Sequence, residues 1–403
     1  MAKTSDSKKA QIKATINATR ERRKSQECKC YTLKIVENKL KKEQKEYLRK
    51  VFIEAKWFYN FLLSQENIFE SANLTKLKEV QIKTLNGFES RKIEYLSSQV
   101  RKGLFDRLIG SIKSLSQLKK SDFKVGKLKF KPEINSIDFP QYKVSWQFKG
   151  NKIKLQGLKD SLCVRGLQQI QENWEFANCK LIKKASGYYL QITTFQDKQE
   201  KEKTNKAIGL DFGIKDNITT SNGETYNCKI AESKKLKRLQ KHFARKKNGS
   251  KNKYKLLGKI HKEYDNITNQ KTDNANKLVS KLKSENDLIV IQDELISLWH
   301  RGIFGRSVQH SNLGAIKSKL KNLESTFVLS AKEATTKMCF CGFKNDIQLK
   351  DRVFKCQKCN FEMERDLKSA CFILHRGLQQ KAISCGTQDY TCGEIYKSLI
   401  IAI

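Results

Sequence analysis

The sequence is poor in acidic residues, histidine and long apolar runs, and each shortage narrows the classes of function open to it. Against 81 Lys and Arg, the 403-residue chain sets only 42 Asp and Glu, a formal charge of +39. Such an excess repels itself and weakens a fold unless a polyanion neutralises it, so a nucleic acid is the expected partner. No stretch approaches the ~18–20 consecutive apolar residues of a membrane helix, and the apolar end Leu399–Ile403 is far too short, which sets membrane functions aside. Between Met1 and Glu27 no apolar run separates the charged residues. A secretory signal is therefore not expected, and a cytoplasmic location is. The five histidines, His242, His261, His300, His310 and His375, share no ligand spacing and have no nucleophile beside them, so none is given a catalytic role. No repeat at solenoid periods is found, and the lysine-rich runs are the only low-complexity feature.

What is present is a folding chain. Hydrophobic residues make up 38% and aromatics 9%, which is too much for a disordered basic tail, and the length suits two or three domains. After a basic leader, 1–27, the alternation in Tyr31–Val36 predicts a strand. Leu48, Val51, Phe52, Ala55, Phe58, Tyr59 and Leu62 then recur at the helical period between Lys42 and Leu63. Further helical patterns over Leu74–Leu85 and Lys92–Leu115 make 42–120 a helical insert. The two prolines, Pro132 and Pro140, mark a change to strands. Val144, Trp146 and Phe148 alternate up to a Gly150-Asn151 turn, and Ile153 and Leu155 continue beyond it as a hairpin. Lys180–Lys183 and Tyr188–Phe195 form a second hairpin across Ala185-Ser186-Gly187. With the early strand, these give a β-barrel over 28–41 and 121–205, closed by a polar linker, Gln196–Asn205.

Acids stand at three places where acids are costly. Asp211 ends the short apolar strand Lys206–Leu210, and a carboxylate among Ile, Leu and Phe needs a partner, of which a metal ion is one and a simple turn next to Gly213 the alternative. Asp293 and Glu294 end Leu288–Ile291, four consecutive apolar residues that read as a strand buried on both faces. Asp366 opens a helix running through Phe372-Ile373-Leu374, where a first-turn acid could equally serve the helix dipole. Two strand-end acids and one helix-start acid are what a two-metal phosphodiester site requires, with one ion activating water and the other steadying the leaving oxygen.

Of twelve cysteines, four fall in a compact pattern: Cys339 and Cys341 before Gly342, then Cys356 and Cys359 after fourteen residues. Two thiol pairs separated by a hairpin-length segment are four soft ligands for tetrahedral zinc, although the first pair is the tighter CxC. Between Lys234 and Lys259 lie twelve Lys or Arg and no acid, interleaved with Leu236, Leu239, Phe243, Leu256 and Leu257. A run so one-signed within a folded domain is expected to track phosphates. Trp299, Phe304 and Arg306 could stack on bases or pack in a core.

The order of these parts resembles the TnpB (OrfB) family of insertion sequences, together with the miniature type V CRISPR effectors that share its architecture. The residues concerned are Gly209-Leu210-Asp211-Phe212-Gly213, Gln292-Asp293-Glu294, Trp299-His300, Gly305-Arg306 with Gln309-His310-Ser311, Thr335-Thr336-Lys337 before the cysteines, and Arg365-Asp366. The resemblance implies an α/β chain with an RNase H-like (RuvC) core over 206–334 and 363–385. A zinc ribbon, 335–362, would be inserted in that core, the barrel would be a wedge domain interrupted by a helical recognition domain, and 386–403 would be a tail. It implies an RNA-guided DNA endonuclease, monomeric or homodimeric and nucleoid-associated, with guide RNA and double-stranded target DNA as partners. Asp211, Glu294 and Asp366 would hold Mg²⁺, and Cys339, Cys341, Cys356 and Cys359 would hold Zn²⁺. A gapless comparison puts Gln292 where many relatives carry Glu, so the second acid is assigned to Glu294. A chain that binds DNA without cutting, or a transposase acting directly on strands, is the alternative.

Overall fold

The computed structural model describes residues 6–385 except 67, 71, 172, 199–201, 349 and 350, so the tail lies outside it. The chain divides into two compact units at Glu200 and Lys201. No helix of the described residues is long and apolar enough to cross a membrane.

The first unit begins with helix α1 (Asp6–Ser25), the folded form of the basic leader, whose Arg22 and Arg23 both pair with Glu175 at 2.8 and 2.7 Å. Strand β1 (Gln26–Ile35) starts five residues before the predicted Tyr31. Helix α2 (Lys42–Leu63) has the predicted bounds. Gln44 reaches back to accept from the Lys41 N–H at 2.9 Å, which caps its first turn. Leu48, Val51, Phe58 and Leu62 are fully buried, each worth roughly 1.5–3 kcal/mol.

The expectation of a helix over Leu74–Leu85 fails. A short 3-10 turn (Ala72–Lys76) is followed by the hairpin β2 (Glu79–Thr84) and β3 (Gly87–Lys92). Buried Val80 and half-buried Ile82 alternate with Glu79, Gln81 and Lys83, a period of two rather than 3.6, and Gly87 supplies the φ of 116° that closes the turn. Helix α3 (Ser98–Lys120) starts six residues later than Lys92, because the Ser97 hydroxyl accepts from the Val100 N–H and caps it there. The segment before it is pinned by buried Glu54 of α2, which accepts from the backbone of Glu94, Tyr95 and Leu96.

The remaining strands are β4 (Ser136–Phe139), β5 (Trp146–Phe148), β6 (Lys152–Leu155), β7 (Leu162–Arg165), β8 (Glu175–Lys184) and β9 (Gly187–Asp197). Both predicted hairpins form, β5 with β6 and β8 with β9, although Val144 stays exposed outside β5. Strand β9 also runs two residues into the expected linker. The seven strands lie in the order β4-β8-β9-β1-β7-β6-β5, with β1 pairing β9 from Gln26 to Lys34 before turning onto β7. The indole N–H of Trp146 in β5 donates to the Ala177 carbonyl of β8 at 3.2 Å, carrying the sheet toward closure as a barrel.

The second unit is built on a five-stranded sheet: β10 (Ala207–Phe212), β11 (Ile218–Thr220), β12 (Thr225–Tyr226), β13 (Leu288–Gln292) and β14 (Thr326–Leu329), in the order β12-β11-β10-β13-β14. The first three form an antiparallel meander, and β10, β13 and β14 run parallel. The basic run 234–259 falls on two helices, α4 (Lys234–Ala244) and the start of the 35-residue α5 (Lys251–Glu285). After β13 come α6 (Ile296–Trp299), α7 (Gly305–Ser311) and α8 (Leu313–Lys321); the hairpin β15 (Val353–Lys355) and β16 (Glu362–Glu364) leads into α9 (Arg365–Cys385). One sheet face packs Ile208, Leu210 and Ile291 against Leu278 and Leu282 of α5 and Ile316 and Leu320 of α8. The other packs Leu288 and Val290 against Ile373, Leu374 and Leu378 of α9. Strand β13 is thus buried on both faces, as its unbroken apolar run requires.

Candidate active site and metal centre

Two glycines set α9 onto the sheet. A Cβ on Gly209 would stand 2.2 Å from the Ala370 carbonyl oxygen, and one on Gly377 would meet Val290 at 2.4 Å. Only glycine permits such an approach of helix backbone to strand. Asp211 lies two residues along β10 from Gly209, roughly 7 Å on. Asp366 lies one turn of α9, about 6 Å, before Ala370.

Glu294 and Asp366 lie close enough to Asp211 to perturb it. Burial raises Asp211 well above the ordinary carboxylate range, and the charges of Glu294 and then Asp366 raise it further, against Arg365 and Lys368. Burial pushes Glu294 up to about 7, with Lys317 opposing. Its Oε2 is buried without a hydrogen-bond partner. The neighbouring Asp293 does a different job: Lys317 and Lys321 of α8 bind it at 2.7 and 3.0 Å and hold it below its usual range. Lys317 also donates to the Glu294 carbonyl, which fixes the backbone that carries the acid. Asp366 accepts from Arg365 at 2.9 Å, with Arg352 at 3.8 Å. Three half-buried carboxyls from β10, the end of β13 and the head of α9 therefore share one locality. Their donor set is hard oxygen, which suits Mg²⁺ or Mn²⁺.

Gln292 is bound elsewhere. Its amide donates to the Ser330 and Glu333 carbonyls at 3.2 and 2.7 Å and accepts from the Thr335 hydroxyl at 2.8 Å.

The four predicted cysteines meet, and among the described residues they are the group of three or more potential ligands whose donor atoms close to within 4.8 Å of one another; the three carboxyls are not drawn so tight. The Cys339 and Cys359 sulfurs lie 3.6 Å apart, and those of Cys341 and Cys356 3.7 Å. A disulfide would need about 2.05 Å. Thiolates at about 2.3 Å from one zinc stand about 3.8 Å from each other, so the set fits a tetrahedral zinc. Both knuckles turn on positive φ, 79° at Gly342 and 55° at Asn360. Asparagine tolerates this angle better than most residues. Although burial acts to raise the Cys356 thiol, the backbone N–H groups of Cys359 and Lys358 outweigh it and hold the thiol down to about 6. Asn345 donates to the same sulfur at 3.7 Å and accepts from the Gln357 N–H at 2.8 Å, an outer support that spacing alone did not reveal.

Of the aromatics after the second acid pair, Trp299 packs on the core, Phe304 is exposed, and Arg306 pairs with Glu232 at 3.1 Å. On α4 and α5 the lysines are largely exposed, while Leu236 and Ile260 are buried.

Comparisons with known proteins can be set beside this geometry. Residues 190–295 match the OrfB_IS605 model, described as "Probable transposase", and 313–373 match the Cas12f1-like TNB domain. The first segment carries Asp211 and Glu294, the second the four cysteines and Asp366. A protein of Streptomyces pristinaespiralis named "Putative RNA-guided DNA endonuclease" is 28% identical over 194 residues, 45% of this chain and 48% of that protein, so the match spans about half of the relative's length. Among solved structures, a Cas12f1–sgRNA–target DNA complex aligns over 86% of this chain and 99% of that one, at 18% identity and a TM-score of 0.25. The mini-RNA-guided endonuclease CRISPR-Cas_phi3 aligns over 87% and 92%, at 10% and 0.41. The resemblance to the TnpB (OrfB) family and its Cas12f1-like relatives is thereby shown, carried by an OrfB_IS605 segment and a TNB segment that between them hold every acid and thiol of the site.

Proposed function

We propose that the chain is an RNA-guided DNA endonuclease of the TnpB type, with Asp211, Glu294 and Asp366 as the metal-binding catalytic acids of an RNase H-like (RuvC) core. The observation that carries this is the convergence of three half-buried carboxyls from three distant segments in one locality, where Glu294 and Asp366 both raise the cost of ionising Asp211. The sheet order, an antiparallel meander continued by two parallel strands, supports the core assignment. The first unit supplies a nearly closed β-barrel as wedge and α2, α3 and the β2–β3 hairpin as recognition domain. Bound divalent ions would supply an activated water and steady the departing 3′ oxygen. The chain's own part is to give up protons from Asp211 and Glu294 so that their oxygens become ligands. Arg365 turns the Asp366 carboxylate, and Lys317 takes Asp293 out of competition. Cys339, Cys341, Cys356 and Cys359 would hold zinc and fix the β15–β16 hairpin. The excess of 39 positive charges suits a guide RNA and a DNA duplex, whose phosphates dominate affinity while base pairing reads sequence.

The test is to purify the protein with its native flanking transcript, sequence the RNA it retains, and challenge it with a target library of randomised flanks in Mg²⁺. Retained RNA that directs cutting to complementary targets supports the proposal. RNA-directed binding without cutting would leave a DNA-binding repressor, and strand joining without RNA would leave a transposase.

A further inference from the structure

The fully buried ammonium of Lys368, on α9 two residues after Asp366, spends its donors on the carbonyls of Thr335 at 2.7 Å, Thr336 at 3.1 Å and Met338. It also lies over the Phe354 and Phe372 rings, at 4.2 and 4.9 Å. Met338 directly precedes the zinc-type ligand Cys339. On the far side of the same segment, Gln292, two residues before Glu294, donates to Ser330 and Glu333 and accepts from Thr335. The stretch 330–338 is therefore a strap. One end is tied to the end of the strand that leads into Glu294, and the other to the helix that carries Asp366 and to the first thiol.

We propose that Gln292 and Lys368 are positioning residues that couple the four-thiol centre to the carboxyl site, so that zinc at the thiols sets the affinity of the acids for a hard divalent ion. This rests on the reading that Asp211, Glu294 and Asp366 bind such ions. The chemistry of each side chain suits the role. An amide at 292 both donates to two carbonyls and accepts a hydroxyl, which a carboxylate could not do, so the glutamine is explained by the strap. A buried ammonium turned onto three carbonyls cannot be withdrawn cheaply, because a buried polar group left without its partner keeps its full desolvation cost. When the thiols lose their ion, Met338 and Cys339 lose their anchor, and the strap no longer holds the Glu294 and Asp366 backbones at one spacing. Outer-sphere partners of this kind typically change metal affinity 10–100-fold.

The experiment measures Mn²⁺ affinity by electron paramagnetic resonance on the full chain. Wild type, Lys368→Met, Thr335→Val and Asp211→Ala are each compared zinc-loaded and zinc-stripped, with zinc content and circular dichroism followed in parallel. In wild type, stripping zinc should weaken Mn²⁺ binding about tenfold or more. Zinc-loaded Lys368→Met should already show that weaker affinity, and stripping should weaken it little further. Thr335→Val, which removes one hydroxyl, should show an intermediate loss with the fold intact. Equal Mn²⁺ affinity in loaded and stripped wild type, or a full additional loss on stripping Lys368→Met, would overturn the coupling. Mn²⁺ binding that survives Asp211→Ala would instead overturn the carboxyl site on which the coupling rests.

Discussion

Gly209 and Ala370 touch backbone to backbone: a Cβ on Gly209 would stand 2.2 Å from the Ala370 carbonyl oxygen and 2.8 Å from the Leu374 nitrogen. This close approach lets α9 lie on β10 near enough for Asp366 to reach the neighbourhood of Asp211. Gly209→Ala should therefore cost about 1–3 kcal/mol or somewhat more, as overpacking does. The added methyl meets backbone that has no rotamer to escape into. Denaturant melts would record the loss as a lower midpoint at unchanged slope, and divalent-ion affinity should fall with it. Wild-type stability in that variant would contradict the backbone contact between α9 and β10.

Stability in the absence of divalent ions should fall as pH rises from about 4.5 to 7. Glu294, pushed up to about 7, and Asp211, raised in the same direction, stay protonated in the native protein over a range where the unfolded chain has released those protons. For Glu294 alone the difference is on the order of 3 kcal/mol. Mg²⁺ should raise the melting temperature by several degrees at pH 8 and hardly at all at pH 5, because it must displace the protons. Glu294→Gln should be the more stable protein at pH 8 without ions and should respond less to Mg²⁺. Equal Mg²⁺ responses at both pH values in wild type would contradict the buried acid pair.

The thiol centre should carry about one zinc per chain. Exposed Cys341 and Cys359 should resist thiol reagents until the metal is chelated, because coordinated thiolates are poor nucleophiles. Cys356→Ser should remove zinc and loosen 335–362. Thiols that react at once in the purified protein would count against a bound metal.

Binding to nucleic acid should weaken steeply with salt. Reversing exposed charges on α4 and α5, for example Lys237→Glu with Lys255→Glu, should reduce the slope of log affinity against log salt by roughly 0.9 for each duplex phosphate no longer neutralised. An unchanged slope would make that face merely solvated.

How legible this was in the sequence depended on how local each signal is. The α2 stripe, the two hairpins and the doubly buried β13 were readable because a single period fixes each. The β2–β3 hairpin was not, because the alternation of Val80 and Ile82 is too short to stand out among the apolar residues around it, and only the turn at Gly87 decides. Cys339, Cys341, Cys356 and Cys359 were readable because their spacing is itself the geometry. The acids were readable as candidates, whereas the ion pairing of Asp293 depends on α8, whose lysines lie 24 and 28 residues further on. Lys368 was missed. A lysine one turn before Phe372, just ahead of the apolar run Ala370–Leu374, was a visible signal of a buried cation, but its three carbonyl partners come from a segment some thirty residues away.

The most direct measurement is Mg²⁺-dependent, guide-directed cleavage by wild type beside Asp211→Ala, Glu294→Gln and Asp293→Asn, with guide and target binding measured on the same preparations. The expected result is cleavage reduced by more than about a hundredfold in the first two, beyond the range usual for outer-sphere changes. Both should bind undiminished, and Asp293→Asn should stay within about tenfold of wild type. Glu294→Gln cutting like wild type, or a wild type that binds guide and target but never cuts, would contradict the assignment.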